Sequence, residues 1–176
     1  TLKLVGTAAA NSKVTIYDGA QKLGTVTADK SGAWSFTTAT LKDGSHNLTA
    51  KMTDSAGNTG AASEVTKVTI DTHAPNTPSL GVFAANGKTL SGSTTVDDVL
   101  LKGTAEGNSL VKLYDGGKLI GSTMAKGDGN WSFEIDNLSN GTHKFTAVAS
   151  DLAGNTSASS AAKAISVIDS PASSAT

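Results

Sequence analysis

The chain carries one sequence pattern twice, at a constant offset of 97 residues and without a gap. Between residues 6–60 and 103–157, 25 of the 55 aligned positions hold the same residue. In the first copy the identical residues include Asn11, Asp18, Trp34, His46 and Asp54. A gap-free duplication of this length predicts two domains with one fold, each of somewhat under about 100 residues.

Charge and cysteine content exclude several classes of function. The 176 residues include 14 positive charges, all Lys, and 15 acidic residues, so no basic stripe is available to neutralise the phosphates of a nucleic acid. The lack of cysteine excludes disulfides, thiolate metal sites and cysteine nucleophiles. No apolar run approaches the roughly 20 residues of a membrane helix, so we expect no membrane insertion. The chain does not begin with Met, and we interpret it as part of a longer protein.

Short runs with apolar residues at every second position occur at the same places in both copies. Val14 and Ile16 form one apolar pair, and Val111 and Leu113 form the matching pair in the second copy. Side chains two residues apart point to the same face of a strand, so each pair predicts a strand with one buried face. Asp-Gly, Ser-Gly, Asn-Gly and Gly-Asn turn signals separate the runs, which is typical of a β-sandwich or barrel.

Seven strands are predicted in the second copy. They are A at 79–84 with a continuation at 88–93, B at 99–105, C at 110–114, C′ at 118–125, E at 131–135, F at 143–150 and G at 162–168. The first copy begins at strand B, because Thr1 aligns with Asp98, and it has no counterpart of residues 75–97. We therefore predict that the first domain lacks its N-terminal strand and is the less stable of the two, since a missing edge strand leaves backbone groups unpaired.

Several motifs follow one another in the same order in both copies. They are Gly-Thr-Ala, Val-x-Ile/Leu-Tyr-Asp-Gly, Gly-x-Trp-Ser-Phe and Asp-x-Ala-Gly-Asn-Thr, and residues 70–75 read Ile-Asp-Thr-His-Ala-Pro. At these spacings the motifs resemble the bacterial immunoglobulin-like repeats of large type I secreted adhesins and biofilm-associated proteins. The resemblance implies an all-β fold of two tandem immunoglobulin-like β-sandwich domains, at residues 1–74 and 75–170 with a tail at 171–176.

The same resemblance implies a function that depends on length rather than on a catalytic cleft. Repeats of this kind act in series as extender, or spacer, modules that hold an adhesive domain away from the bacterial cell. The expected location is therefore extracellular, on the cell surface, with a role in cell adhesion and biofilm formation. The expected partners are neighbouring Ig-like repeats of the same chain, and the chain is expected to be a monomer.

Calcium is the cofactor that the resemblance implies, because calcium at or near domain junctions stiffens several such adhesins. Ca²⁺ takes six to eight oxygen ligands at about 2.3–2.6 Å. The expected strand order places several acidic residues at the ends of the domains, next to loops of the neighbouring domain. The candidate metal ligands are Asp18, Asp71, Asp97, Asp98, Asp115, Asp151 and Asp169.

Four acidic positions also have an ordinary structural interpretation. Asp18 and Asp115 precede glycine in hairpin turns, where Asp is common for its turn-forming side chain. Asp54 and Asp151 begin Asp-x-Ala-Gly-Asn segments, in which the carboxylate caps its own turn. At these positions a turn and a metal ligand both remain open interpretations.

The other candidates have less specific alternatives. Asp71 lies where the chain leaves the first domain, and Pro75 stiffens that exit. The adjacent carboxylates of Asp97 and Asp98 repel each other unless a positive charge offsets them, although a solvated loop also accommodates them. None of these strings matches an EF-hand loop, so the calcium prediction rests on topology and resemblance.

Enzymatic activity is not expected, and a binding module is the alternative function. His46 and His143 recur at equivalent positions on an inward strand face, which favours a structural histidine over a catalytic one. Trp34 and Trp131 each lie two residues before a phenylalanine, so they face the core side of their strand with it. Tyr17 directly follows the inward Ile16 and therefore faces the other side of its strand, beside a turn. A carbohydrate- or protein-binding module of a secreted protein would need such aromatic side chains at the surface.

Overall fold

The computed structural model describes residues 1–169, which form β-strands joined by turns and loops. The chain divides into two compact units, Thr1–Thr72 (unit 1) and His73–Thr176 (unit 2). The prediction of an all-β fold with two sandwich domains is confirmed. No helix in the described residues is long and apolar enough to cross a membrane. The tail predicted at residues 171–176 lies outside the described residues.

Unit 1 contains seven strands in two facing sheets. They are β1 Lys3–Thr7, β2 Lys13–Asp18, β3 Gln21–Thr27, β4 Ala33–Thr37, β5 Gly44–Thr53, β6 Thr59–Ala62 and β7 Thr66–Ile70. β1 and β4 form one antiparallel sheet. The other sheet has the order β3-β2-β5-β6, and β7 also pairs with β5. The sequence did not predict β6, whose four residues are all exposed.

Unit 2 repeats six of these strands and adds two at its start, and among the described residues it has no strand equivalent to β6. Its strands are β8 Gly81–Ala84, β9 Gly92–Thr94, β10 Val99–Thr104, β11 Leu110–Asp115, β12 Lys118–Met124, β13 Asn130–Ile135, β14 Gly141–Ser150 and β15 Lys163–Val167. One sheet has the order β13-β10-β8 and the other β12-β11-β14-β15-β9. β9 pairs with β15 in parallel, whereas the other pairings in unit 2 are antiparallel. These strands coincide with the predicted strands A to G to within a few residues.

Residues shared by both copies adopt the same special backbone conformations. Asn11 and Asn108 have φ values of 61° and 64°, in the left-handed region that Asn tolerates better than most residues. Gly19 and Gly116, in the hairpins between β2 and β3 and between β11 and β12, have φ values of 54° and 56°. The identities between the copies therefore preserve the turns as well as the strand faces.

The core of unit 2 is built from buried apolar residues of both sheets. Inward side chains of β10, β11 and β14 are buried, and Leu101, Val111, Leu113 and Phe145 are 0% exposed. The added segment contributes to the same core through Leu80, Val82, Ala84 and Leu90. Fourteen hydrophobic residues are buried in unit 2.

Unit 1 has a smaller core and one open side. Its buried hydrophobic residues are Val14, Ile16, Ala28 and Leu48. Within the described residues, β1 pairs with β4 alone, and unit 1 has no counterparts of β8 and β9. A groove of about 590 Å³ runs between the two sheets and exposes part of the core. The prediction that the first domain lacks its N-terminal strand is confirmed.

We expect unit 1 to unfold before unit 2, because it buries fewer apolar side chains and leaves one strand edge unpaired. The two tryptophans of the chain, Trp34 and Trp131, lie one in each unit. Replacing either with Phe leaves the other as a fluorescent reporter of its own unit. Urea or thermal unfolding of the two variants should give a lower midpoint for unit 1. A higher midpoint for unit 1 would contradict the prediction.

Candidate functional sites at the ends of the two units

A histidine and an aspartate form the same ion pair in each unit. In unit 1, Nδ1 of His46 lies 2.6 Å from Oδ2 of Asp18, and Nε2 lies 2.8 Å from the carbonyl oxygen of Lys42. The other oxygen of Asp18 accepts a hydrogen bond of 2.9 Å from the backbone N–H of Asn47. Both ring nitrogens face oxygen acceptors, and this arrangement favours the charged form of the imidazole, in which both nitrogens donate.

Unit 2 repeats these contacts with nearly the same distances. Nδ1 of His143 lies 2.6 Å from Oδ2 of Asp115, and Nε2 lies 2.8 Å from the carbonyl oxygen of Ser139. The backbone N–H of Lys144 donates to Oδ1 of Asp115 at 2.8 Å. The histidines therefore tie the β2–β3 and β11–β12 hairpins to the neighbouring long strand, and their predicted structural role is confirmed. Both carboxylates that were candidate calcium ligands here accept protein hydrogen bonds on each oxygen.

The pKa values of these groups follow from the contacts. The hydrogen bond with Asp18, supplemented by the Lys42 carbonyl, raises the pKa of His46 above its ordinary value. The same bond, with the Asn47 N–H, lowers the pKa of Asp18. Burial acts to lower the pKa of His143, but the hydrogen bonds to Asp115 and to the Ser139 carbonyl outweigh it, so this pKa is also raised.

A raised histidine pKa predicts a loss of stability in alkaline solution. The stabilising contribution of His143 should be fully present below about pH 6.5, the ordinary histidine pKa, and lost as the pH rises through the higher folded-state pKa. The stability that wild-type unit 2 has relative to a His143→Gln variant should therefore decrease between about pH 6 and pH 9. Urea unfolding followed by Trp131 fluorescence measures this difference. A stability difference that stays constant over this range would contradict the ion pair.

Asp54 and Asp151 cap their own turns in the two units. Oδ1 of Asp54 accepts hydrogen bonds from the backbone N–H groups of Ala56 and Asn58 at 2.9 and 2.8 Å, and Oδ2 accepts one from the Asn58 side chain. Both oxygens of Asp151 accept hydrogen bonds of 2.8 Å from Asn155. The hydrogen bonds from the Asn side chains are the main cause that lowers the pKa of each carboxyl group. The capping interpretation of these segments is confirmed.

Three further candidate ligands lie against the connection between β13 and β14. The backbone N–H of Asn137 donates to Oδ1 of Asp98 at 3.1 Å, and Leu138 donates to the carbonyl oxygen of Asp97 at 2.9 Å. The side chain of Asn140 donates to Oδ1 of Asp169. Since Ser139 in the same connection binds the His143 ring that pairs with Asp115, this end of unit 2 contains four of the predicted acidic residues.

The equivalent end of unit 1 brings together an acidic pair. Oxygen atoms of Asp43 and Asp71 lie within 4.8 Å of each other, and both residues are exposed. Thr72 donates to Asp43 from its hydroxyl at 3.0 Å and from its backbone N–H at 3.2 Å. At the repeat offset, Asp43 and Thr72 correspond to Asn140 and Asp169, which are also in contact.

Sequence reasoning missed Asp43 as a partner of Asp71. The Asp43-Gly44 dipeptide reads as an ordinary turn, and no local signal indicates that the end of β7 returns to it. A comparison of the two copies nevertheless contains a signal. Both positions of this contact change together between the copies, from Asp43 and Thr72 in unit 1 to Asn140 and Asp169 in unit 2.

The aromatic residues do not form a shared surface platform within either unit. Trp131 is 3% exposed and belongs to the core, as predicted. Trp34 is half-buried and lines the open groove of unit 1. Tyr17 is half-buried, and Nζ of Lys51 lies 5.6 Å from the centre of its ring.

The chain belongs to the bacterial Ig-like domain family, which it matches over residues 1–72 and again over residues 85–170. The resemblance to bacterial Ig-like repeats is thereby confirmed. No curated protein matches this chain.

Solved structures with related folds include fibronectin(III)-like modules of CbhA from Clostridium thermocellum. They align with a TM-score of 0.54 and 20% identity, covering 95% of this chain and 86% of that chain. The BSP domain of a biofilm-associated protein aligns with a TM-score of 0.41 and 18% identity, covering 96% of this chain and 28% of that one. A Ca²⁺-stabilised adhesin that helps an Antarctic bacterium to bind ice aligns with a TM-score of 0.44 and 21% identity, covering 96% of this chain and 44% of that one. At such identities the comparison with the CbhA modules supports the fold alone.

Proposed function

We propose that this chain is a spacer segment of a large bacterial surface adhesin, exported to the cell exterior and active in cell adhesion and biofilm formation. This function is supported by the duplication of structural features of the domain. Both units repeat the hairpin His–Asp ion pair and the Asp-x-Ala-Gly-Asn turn cap, whose hydrogen bonds stabilise the fold of each domain. Duplication of a whole self-contained domain adds length to a protein. The partners of such a spacer are the neighbouring repeats of the same chain.

We propose further that calcium binds at the end of unit 1 formed by Asp43, Asp71 and Thr72. The carboxylate oxygens of Asp43 and Asp71 lie within 4.8 Å of each other, and a divalent cation between them would be attracted to both. Carboxylate and hydroxyl oxygens are hard ligands of the type that Ca²⁺ prefers, and water supplies the remaining positions in many sites. The corresponding contact in unit 2 joins one carboxylate, Asp169, to the neutral Asn140, and this contact should bind calcium more weakly.

Calcium should raise the unfolding temperature of unit 1 by about 10–20 °C at concentrations about 100-fold above Kd, because a ligand that binds only the folded state stabilises it. Asp43→Asn or Asp71→Asn should abolish the shift, whereas Asp136→Asn, which removes an exposed charge elsewhere, should leave it unchanged. Asn140→Asp should give unit 2 a calcium-dependent shift that the wild type lacks or shows only weakly. Calorimetric titration and melting with calcium and with chelator measure these effects. An unchanged midpoint at millimolar calcium would refute the calcium site and leave the spacer function standing.

A carbohydrate- or protein-binding module is the alternative, and Trp34 at the groove of unit 1 is the observation that favours it. The spacer function predicts that the chain shows no retention on an array of oligosaccharides. Retention that Trp34→Ala or Tyr17→Ala abolishes would support the binding function. Leu152→Ala is a suitable control, because Leu152 is 91% exposed and lies away from both aromatic residues along the chain.

A further inference from the structure

Both outward sheet faces of unit 2 hold apolar residues where those of unit 1 hold lysine. At the repeat offset, four lysines of unit 1 are replaced in unit 2 by leucine or valine. The four exchanges are Lys3 to Leu100, Lys13 to Leu110, Lys22 to Leu119 and Lys51 to Val148. Charged side chains on exposed strands, lysine above all, oppose association between sheets. Unit 2 lacks this protection and is therefore the better suited of the two units to contact another protein surface.

The first of these surfaces, here named the β11 face, is the outward side of the sheet that contains β11, β12 and β14. Alternation along these strands places five apolar side chains and one charge on it, which are Leu110, Lys112, Tyr114, Leu119, Met124 and Val148. Leu119 and Met124, on the edge strand β12, are each 53% exposed. Lys112 lies at the centre, between Ser122 on β12 and Val148 on β14. The charge at the centre of this apolar face is therefore positive.

The second surface, here named the β10 face, is the outward side of the sheet β13-β10-β8. Glu134, Leu100 and Phe83 lie side by side on its three strands. Nζ of Lys102 lies 4.1 Å from the centre of the Phe83 ring, so the positive charge of this face is held against an aromatic ring of β8. Glu134 is exposed on β13 and forms no ion pair with another residue in the range 1–169. A hollow of about 520 Å³ opens beside Phe83 and Lys102.

The two faces are complementary in charge and in shape. Lys112 of one face and Glu134 of the other are of opposite sign, whereas two β11 faces would bring positive charges together. Leu119 and Met124 each lie diagonally across the strands from Lys112, about 7–8 Å away. The strands that carry Glu134 and Phe83 are separated by about 10 Å. An ion pair between Lys112 and Glu134 would therefore place an exposed side chain of β12 over the hollow beside Phe83.

We propose that unit 2 binds unit 2 of a second copy of the chain side by side, with the β11 face of one copy against the β10 face of the next. The two faces lie on opposite sides of the sandwich, so the contact is heterologous and each copy keeps a free face for a further copy. This association goes beyond the spacer function and does not depend on it.

The size of the faces predicts a weak contact. Three strands about 4.8 Å apart and about five residues long form a face of only about 250 Å². Stable interfaces bury about 800 Å² on each partner, so a dilute chain should remain a monomer. Chains held next to one another would form many such contacts at once, and their combined strength would exceed that of one contact.

Exchange of charges tests which faces meet. Lys112→Glu gives a chain with an acidic residue on both faces, and Glu134→Lys gives one with a basic residue on both faces. Neither variant should associate with itself, and each should bind at least about tenfold more weakly than the wild type. An equal mixture of the two variants should associate as the wild type does, because each face of one is complementary to the opposite face of the other. Sedimentation equilibrium from about 0.05 to 1 mM chain measures the average mass.

Exchange of apolar residues tests the remainder of the contact. Leu119→Lys and Met124→Thr introduce the residues that unit 1 has at the same positions, Lys22 and Thr27, so the strand should accept them. Together they should weaken the association by at least about tenfold. Leu152→Ser is the matched control, because it removes a leucine that is 91% exposed in the turn after β14, outside both faces. The control should associate as the wild type does.

Three results would overturn the proposal. The wild-type chain could remain a monomer at about 1 mM. The mixture of the two charge variants could fail to associate although the wild type does. Lys112→Glu alone could strengthen self-association, which would assign the contact to two copies of the β11 face. None of these results would affect the proposed spacer function, which does not require contact between copies.

Discussion

Replacing Phe145 with alanine is expected to destabilise unit 2 by about 3–5 kcal/mol, whereas replacing Leu48, its counterpart in unit 1, should cost about 2 kcal/mol. Phe145 is 0% exposed, and its ring stacks on that of His143 with 5.9 Å between centroids. Phe145 belongs to the fully buried core cluster of unit 2, and we expect the cavity left by its removal to collapse only in part. Leu48 lines the open groove, where water or a moving side chain can occupy the space that its removal leaves.

A second pair of variants removes the difference in side-chain size. Leu113 and Ile16 have equal numbers of carbon atoms, occupy equivalent positions, and are 0% and 1% exposed. Leu113→Ala should cost more than Ile16→Ala, because Ile16 also lines the groove. Urea unfolding of single-tryptophan chains, followed by Trp34 for unit 1 and Trp131 for unit 2, measures each cost. Equal losses of unfolding free energy in the two units would show that the groove does not lower the cost of the cavity in unit 1.

Features that depend on the parity of side chains could be predicted from the sequence. Val111 and Leu113 lie two residues apart in β11, and both are 0% exposed. Alternate side chains of a strand point to opposite faces whichever strand it pairs with, so the buried face can be predicted without knowing the partner strand. His46 and His143 were predicted to be structural because they recur on an inward face. The duplication carried this inference, since a residue needed in both domains serves the fold of each.

Features that depend on pairing between distant segments could not be predicted. The exposed strand β6 has no apolar alternation, and it is a strand only because β5 offers an edge. The continuation of strand A was expected, but not that β9 would cross to the other sheet and run parallel to β15. Asp43 was overlooked for the same reason, because its contact with Thr72 spans 29 residues.

Replacing Gly103 with alanine is expected to destabilise unit 2 by about 3 kcal/mol, whereas Gly6→Ala should cost about 1 kcal/mol or less. A Cβ atom on Gly103 would collide with the carbonyl oxygen of Ser79 and lie 2.9 Å from the Trp131 ring. Ser79 is fixed there, because its N–H donates to the Thr104 carbonyl at 2.8 Å and its hydroxyl accepts from the Thr104 N–H at 2.7 Å. Alanine must therefore push the covering segment away from β10.

Gly6 occupies the same position in unit 1 without a covering strand. The nearest atoms to a Cβ on Gly6, from 2.5 Å, all belong to the ring of Trp34, which is half-buried beside the groove and can shift. Urea unfolding followed by Trp131 or Trp34 fluorescence compares the two glycine variants, and equal costs would contradict the comparison. A variant in which a copy of residues 75–97 is fused ahead of Thr1 extends this comparison. A strand seated on β1 would bring a carbonyl oxygen against Gly6, so Gly6→Ala should then become as costly in unit 1 as Gly103→Ala is in unit 2.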